Sequence, residues 1–193
     1  SQSGNSEDVA IQTGNAALKH NLQPIIRAMD EISIAEILGQ TRLLICCSTW
    51  GDGEQPDNAE DLWEEANGSN IDSLKGLHFS VLALGDSSYD LFCESGKEWD
   101  NWFESKGATR VYDRVDCDVD YEEPAQTWSD AVLVKMAAIE DVAPPAVVEV
   151  AEEIIEVDES TLEAIDNTTM KKEVAKSQWN AKNPYSSKLT QNF

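Results

Sequence analysis

Three segments rich in glycine and in hydroxyl-bearing or aromatic residues hold the candidate chemistry of this chain. The first is SQSGNS, residues 1–6, which precedes a stretch with helical periodicity. Hydroxyl groups, a conformationally permissive Gly4 and the free amides of a helix N-terminus together form a nest suited to a phosphate. Neither Lys nor Arg occurs before Lys19, so neutral donors and the helix dipole would hold the anion. The alternative interpretation is an ordinary helix cap.

The second segment is STWGDGE, residues 48–54, which follows an apolar run at 43–47. Trp50, between a strand end and two glycines, is well placed to lie flat against a planar ring. Gly51 and Gly53 would let the backbone approach that ring closely. The alternative is an exposed aromatic residue in a turn.

The third segment is LGDSSYDLFC, residues 84–93, after the apolar run at 79–84. Tyr89 would supply a second aromatic wall; alternatively, Tyr89 and Phe92 only anchor the helix that follows. Neither GxxxxGK[ST] nor GxGxxG occurs at these segments, which excludes the usual triphosphate and dinucleotide loops. The three segments together therefore predict a slot for a flat, phosphorylated ring.

The elements that must position these loops alternate between strands and helices. Continuous apolar runs predict strands buried on both faces at 43–47 and 79–84, and shorter runs predict strands at 25–29 and 111–115. Helices are predicted at 5–22, 58–66, 93–106 and 122–140. This alternation predicts an α/β fold with a doubly wound, parallel, five-stranded sheet, whose first strand would lie upstream of Ser1. Ligands of such sheets bind beyond the carboxyl ends of the strands, where the three loops lie.

The charge and the cysteine content of the chain limit the classes of partner and the cellular compartment that it suits. The 193 residues include 14 Lys+Arg and 37 Asp+Glu, a net charge of -23. Such a field repels nucleic acid and anionic membranes and would steer a positively charged protein partner, although it could also serve solubility alone. Four cysteines without a CxxC pair, and the lack of an apolar run near ~20 residues, predict a cytoplasmic protein with reduced thiols.

The character of the chain changes near residue 142. Ala143-Pro144-Pro145 ends the last helical pattern, and an acidic, polar stretch follows. We expect a folded domain over residues 1–142, a linker over 143–182 and the start of a further module over 183–193.

The three loops resemble those of one known family. SQSGNSED resembles the SQTGNAE loop of diflavin reductases, STWGDGEQPDNA their STxGEGEPPDNA loop, and LALGDSSYDLFCESGKEWD their LALGDSSYEHFCQAGKDFD stretch. RVDCDVDYEEPAQTWSD is similar to the end of their flavodoxin-like domain, above all in the flavoprotein subunits of NADPH-dependent sulfite reductase. The resemblance covers about residues 1–141, with the motifs in family order, and NPYSSKLTQNF resembles the start of the family's FAD-bearing module.

The resemblance implies a flavodoxin-like fold and FMN as the cofactor. It implies that the phosphate is held by Ser1, Gln2, Ser3, Gly4, Asn5 and Ser6. One face and edge of the isoalloxazine would be held by Ser48, Thr49, Trp50 and Gly51. The other face would be held by Leu84, Gly85, Asp86, Ser87, Ser88, Tyr89, Asp90, Leu91, Phe92 and Cys93. Ser3, Ser6 and Trp50 differ from the residues usual in the family.

The function implied by the resemblance is electron transfer. FMN would accept electrons from an FAD that takes hydride from NADPH, and would pass them singly to a haem or iron–sulfur partner, with sulfite reductase favoured. FAD and NADPH would bind the reductase module of the same chain and not this fragment. No catalytic acid, base, nucleophile or metal is expected, and His20 and His78 lie outside the loops. The alternatives are an acidic docking module without flavin, a free-standing flavodoxin shuttle, and the reductase of a different haem enzyme.

Overall fold

The centre of the fold is a pair of parallel strands. The computed structural model describes residues 4–71 and 73–140. Strand β1, Arg42–Ser48, pairs in parallel with strand β2, His78–Leu84, in continuous register from Arg42 opposite His78 to Ser48 opposite Leu84. Residues 79–84 are all buried. Both apolar runs therefore form the strands predicted from their sequence.

The other edge of β2 pairs with an interrupted strand. Strand β3, Thr109–Arg110, and strand β4, Val115–Cys117, both run parallel to β2. Residues 111–114 lie between the two paired stretches, opposite only residues 80–81 of β2, so the edge strand bulges outward. The predicted continuous strand at 111–115 is wrong for this reason, since only Val115 of these residues belongs to a paired strand.

Five α-helices complete the described part of the chain, and four of them match predicted helices with somewhat different ends. The fifth, a helix of five residues, is too short for a periodic pattern, but its capping box between Ser33 and Glu36 was a readable signal. The predicted first helix ended at Leu22; in the structure the α-helix ends at Ala17 and a 3-10 turn follows. The helices are α1 Asn5–Ala17, α2 Ile34–Leu38, α3 Asp57–Gly68, α4 Glu94–Ser105 and α5 Glu122–Ala137.

The helices cover both faces of the sheet. Ile45 and Phe79 lie in one apolar core with Trp99 of α4, whereas Leu82 lies in a second core with Trp128 of α5. Successive strand residues point to opposite faces, which explains why these continuous apolar strands contribute to both cores. The predicted α/β architecture with a parallel sheet and helices on both faces is confirmed.

The predicted strand at 25–29 is wrong. Residues 22–28 have no regular secondary structure, and Ile25 is 78% exposed. The edge of β1 that could have paired with it is open among the described residues. Because Thr41 and Thr49 bond to β2 through their backbones, the alternate residues Leu44 and Cys46 direct their amides and carbonyls away from β2. The strand expected upstream of Ser1 stays a prediction, and this edge is where it would pair.

The predicted linker at 143–182 and the predicted module start at 183–193 lie outside the described residues. No helix in the described part of the chain is both long and apolar enough to cross a membrane.

Candidate cofactor site

The carboxyl ends of three parallel strands lie side by side. Ser48, Leu84 and Cys117 end their strands at matching positions of the register. The Thr49 amide donates to the Leu84 carbonyl at 3.0 Å, and the Gly85 amide donates to the Cys117 carbonyl at 2.9 Å. The loops after β1, β2 and β4 therefore all leave the sheet at the carboxyl ends of its strands. The sequence predicted this placement for the loops after its two buried strands.

The loop after β1 is a closed turn that presents Trp50. The Trp50 amide donates to the Glu54 carbonyl at 2.9 Å, and the Glu54 amide donates back at 2.8 Å. Trp50 remains 47% exposed. Gly51 has φ +52, and a β-carbon there would clash with the Glu54 carboxylate, which accepts the Asp52 amide at 3.2 Å. The positive φ favours glycine at position 51, and the carboxylate of Glu54 lies over it.

The loop after β2 presents Tyr89 and packs on the first turn. Tyr89 is 57% exposed, and its amide donates to the Asp86 carbonyl at 3.1 Å. Gly53 packs so closely on Leu91 that a β-carbon on it would lie 2.6 Å from Leu91 Cδ1. The two loops therefore touch, and both carry an exposed aromatic residue.

The loop after β4 supports the Tyr89 loop, and the sequence interpretation missed its role. The Ser87 amide donates to Asp118 Oδ1 at 3.0 Å, and the Ser87 hydroxyl donates to Asp118 Oδ2. These bonds and that of the Val119 amide hold the pKa of Asp118 below its usual range. In the same loop, Asp86 Oδ1 accepts a hydrogen bond from the Ser88 amide at 2.8 Å. No local pattern indicates the Ser87–Asp118 contact, because the two partners are 31 residues apart in the chain.

The opening loop is described from Gly4 onward; Ser1, Gln2 and Ser3 lie outside the described residues. Gly4 has φ +82 at the N-cap of α1, and no side chain caps this helix end. Ser6 is 5% exposed, and its hydroxyl has no hydrogen-bond partner among the described residues. Asp8 and Val9 line a small cleft with Tyr121, next to the start of α5. The beginning of α1 therefore lies at the same edge of the sheet as the other loops.

An ion-pair cluster fixes the bulge between β3 and β4. Buried Asp100 of α4 accepts two bonds from Arg110, at 2.7 and 2.9 Å, and one from Arg114 at 2.8 Å. Arg114 also pairs with Asp116 at 2.7 Å. Hydrogen bonding to Asp100 and Glu104 raises the pKa of Arg110, so this guanidinium stays charged. The Asp116 carboxylate therefore serves to anchor the bulge.

All four cysteines are free thiols, as expected from their spacing. Burial raises the pKa of Cys47 and Cys93 to about 12 and that of Cys117 to about 11. Burial also raises the pKa of Cys46. The four side chains are therefore neutral at physiological pH and offer no thiolate nucleophile.

A cavity of about 870 Å³ lies away from these loops. It runs between residues 22–27, α1 and the open edge of β1. Its walls include Ile26, Leu44 and Ile45. It lacks both exposed aromatic residues and the first turn of α1. This cavity is therefore distinct from the site that the sequence predicted at the loops.

A family model for flavodoxin matches residues 1–128. The chain belongs to the flavodoxin family. The solved flavodoxin of Streptococcus pneumoniae TIGR4 superposes with a TM-score of 0.64 at 26% identity, over 72% of this chain and 93% of the flavodoxin. A flavodoxin variant from Pseudomonas aeruginosa superposes with a TM-score of 0.58, also at 26% identity, over 70% of this chain and 90% of that one.

Curated relatives are larger proteins. The sulfite reductase [NADPH] flavoprotein alpha-component of Bacillus subtilis is 44% identical over 133 residues, which are 69% of this chain and 22% of that protein. The protein of the same name from Shewanella sp. (strain MR-7) is 31% identical over 189 residues, 98% of this chain and 29% of that protein. The chain thus spans less than a third of the length of these relatives, which are named as NADPH-linked flavoproteins.

Flavodoxin domains bind FMN, and the residues present suit this cofactor. The uncapped start of α1 with the buried, unpartnered Ser6 hydroxyl offers donors for a terminal phosphate. Trp50 and Tyr89 offer exposed aromatic faces for a flat ring on two loops that touch. When bound, FMN supplies one-electron and two-electron redox chemistry, while the protein holds the ring and tunes its electronics.

Proposed function

We propose that this domain carries the FMN of an NADPH-dependent diflavin reductase and passes electrons singly to a haem or iron–sulfur partner. The observation that carries the proposal is that the loops after β1 and β2 touch at the carboxyl ends of their strands, each with an exposed aromatic residue, Trp50 or Tyr89. The similarity to sulfite reductase flavoproteins favours sulfite reductase haemoprotein as the acceptor. The domain's role is positioning, because the loops contain no histidine or reactive thiolate.

The proposed FMN contacts follow the three loops. The phosphate would be held by residues 1–6 at the start of α1. One face and edge of the ring would contact residues 48–51, and the other face residues 84–93. In this arrangement the first turn of α1 contributes amides, and the loops after β1 and β2 contribute one aromatic face each.

The proposed partners are two. Electrons would arrive from an FAD- and NADPH-binding module of the same chain, whose beginning we place at residues 183–193 after a linker at 143–182. They would leave to a haem protein docked on the acidic surface around the loops, where Asp52, Glu54 and Asp90 are exposed. We also propose a cytoplasmic location, because four free thiols suit a reducing compartment.

Rapid mixing tests the electron-transfer step. The FMN-loaded domain is reduced anaerobically and mixed with oxidised sulfite reductase haemoprotein, and haem reduction is followed optically. We expect haem reduction much faster than with the same concentration of free reduced FMN. Equal rates for the loaded domain, the apo-domain plus FMN at non-binding concentration, and free FMN would contradict the proposal.

A further inference from the structure

Gln55 is a buried amide between the turn that carries Trp50 and helix α3. Its side chain is 5% exposed, which is unusual for glutamine. The Gln55 Oε1 accepts the Ser95 hydroxyl at 2.7 Å and the Trp99 indole N–H at 3.0 Å. The Gln55 Nε2 donates to Glu98 Oε2 at 2.8 Å. All three partners lie on α4.

The orientation of this amide is dictated by its partners. The indole N–H of Trp99 can only donate, so it must face the amide oxygen. The Glu98 carboxylate, when ionised, can only accept, so it must face the amide nitrogen. No rotated or shortened side chain satisfies both partners at once, and a buried donor or acceptor left unpaired is costly.

The same helix also holds the beginning of the turn. The Ser95 amide donates to the Thr49 hydroxyl oxygen at 3.2 Å, just before Trp50. The segment from Thr49 to Gln55 is therefore bonded to α4 at both of its ends. Helix α4 in turn begins directly after the loop that carries Tyr89. The stretch of α4 from Ser95 to Trp99 thus determines the position of the Trp50 turn relative to the Tyr89 loop.

We propose that Gln55 is a positioning residue that sets the separation of the Trp50 and Tyr89 loops and thereby the fit of the flavin ring. It touches neither the ring nor the phosphate and acts through Ser95, Trp99 and Glu98 of α4. The inference rests on the proposed FMN site. Gln55 would be a buried determinant of that site, and the loop motifs assign no role to it.

A charge exchange between positions 55 and 98 tests this role. Gln55→Glu places a second carboxylate 2.8 Å from Glu98 in place of a donor, whereas Gln55→Glu with Glu98→Gln restores every donor–acceptor pair. Glu98→Gln alone is the matched control, because its amide oxygen can still accept from Gln55. FMN affinity is measured by fluorescence titration, and the visible spectrum of the bound flavin is recorded at saturation for each variant.

We expect Gln55→Glu to bind FMN at least tenfold more weakly, with an altered flavin band at saturation. The exchanged pair should return to within about threefold of the wild type with the wild-type band. A purely structural role would lower thermal stability but leave the saturated flavin band unchanged. If Gln55→Glu does not fold, the exchanged pair decides, since a folded pair with weak binding and a shifted band overturns the inference. Wild-type affinity and spectrum in Gln55→Glu also overturn it, whereas absence of FMN binding by the wild type overturns the proposed function itself.

Discussion

Ser87 and Asp118 join two loops that leave different strands. The Ser87 amide donates to Asp118 Oδ1 at 3.0 Å, while its hydroxyl donates to the second carboxylate oxygen. Ser87 belongs to the loop that presents Tyr89, whereas Asp118 follows directly after β4. The aromatic wall after β2 is therefore held from the side by the neighbouring strand's loop.

Replacing Asp118 with alanine should weaken FMN binding, because the Ser87 amide and hydroxyl both lose their acceptor and the Tyr89 loop gains freedom. The pH dependence has a defined sign. The folded-state pKa of Asp118 is lowered by these bonds, so the contact is present above that pKa and is lost as the pH falls through it. FMN affinity, titrated by fluorescence at decreasing pH, should decline on acidification more steeply in the wild type than in Asp118→Asn.

Asp113→Asn is the matched control for that experiment. Asp113 is an exposed carboxylate in the neighbouring bulge at 111–114. Its neutralisation should leave both the affinity and its pH profile unchanged. Identical profiles for the wild type, Asp118→Asn and Asp118→Ala would rule out a role of this contact in cofactor binding.

Trp50→Ala and Tyr89→Ala should each weaken FMN binding. Each variant removes a stacking face, of order 0.5–1.5 kcal/mol beyond the apolar area that the ring buries. Val134→Ala serves as the control, because Val134 is also an exposed apolar residue, at 58%, but lies on α5. Fluorescence titration measures all three. Unchanged affinity in both aromatic variants would place the flavin elsewhere.

Electron transfer to the haem partner should slow as salt rises. The acidic residues Asp52, Asp57 and Asp90 are exposed on or beside the loops, and the chain carries a net charge of -23. Attraction to a positively charged partner weakens as the Debye length falls from ~10 Å at 0.1 M to ~3 Å at 1 M. Stopped-flow rates over this range check the expectation.

Two double variants separate local docking from general charge. Asp52→Asn with Asp90→Asn should flatten the salt dependence. Asp30→Asn with Glu31→Gln removes the same charge from an exposed turn outside the loops and should change it much less. If the electron-transfer rate does not change with salt, the acidic residues contribute to solubility and not to docking.

Neutralising the Trp50 turn should raise the lower of the two one-electron potentials of FMN. Full reduction places negative charge on the ring, and the carboxylates of Asp52 and Glu54 lie in the turn that carries Trp50. Anions close together repel, and removing two of them eases the second electron. Spectroelectrochemical titration of Asp52→Asn with Glu54→Gln against the wild type measures both potentials. If the lower one-electron potential is the same in the variant and the wild type, these carboxylates serve partner docking or the structure of the turn and do not tune the flavin.

The sequence predicted the parts of this fold that depend on local pattern. The apolar runs at 43–47 and 79–84 are buried strands, since a parallel strand covered on both faces needs apolar residues throughout. The family motifs also led to the loops after these strands. What the pattern could not show was pairing: residues 25–29 have strand composition but no ladder, and the 111–114 bulge depends on Asp100 ten or more residues earlier in the chain.

The supports of the site were hidden for a similar reason. Gln55 meets residues at least 40 positions away, and Ser87 meets Asp118 across 31. Such contacts are created by the register of β1, β2 and β4. They correspond to no recognisable spacing of residues in the sequence. Loops can therefore be identified by their motifs, whereas the residues that hold them in place require the structure.

The central claim is that this domain binds FMN at the three loops. The most direct measurement is mass spectrometry of the chromophore released by heat from the domain, isolated as purified and after incubation with an equimolar mixture of FMN and FAD. We expect FMN alone, in a ratio near one per chain, because a single nest at the start of α1 suits one terminal phosphate. Release of FAD, or of no flavin after incubation, would contradict the account.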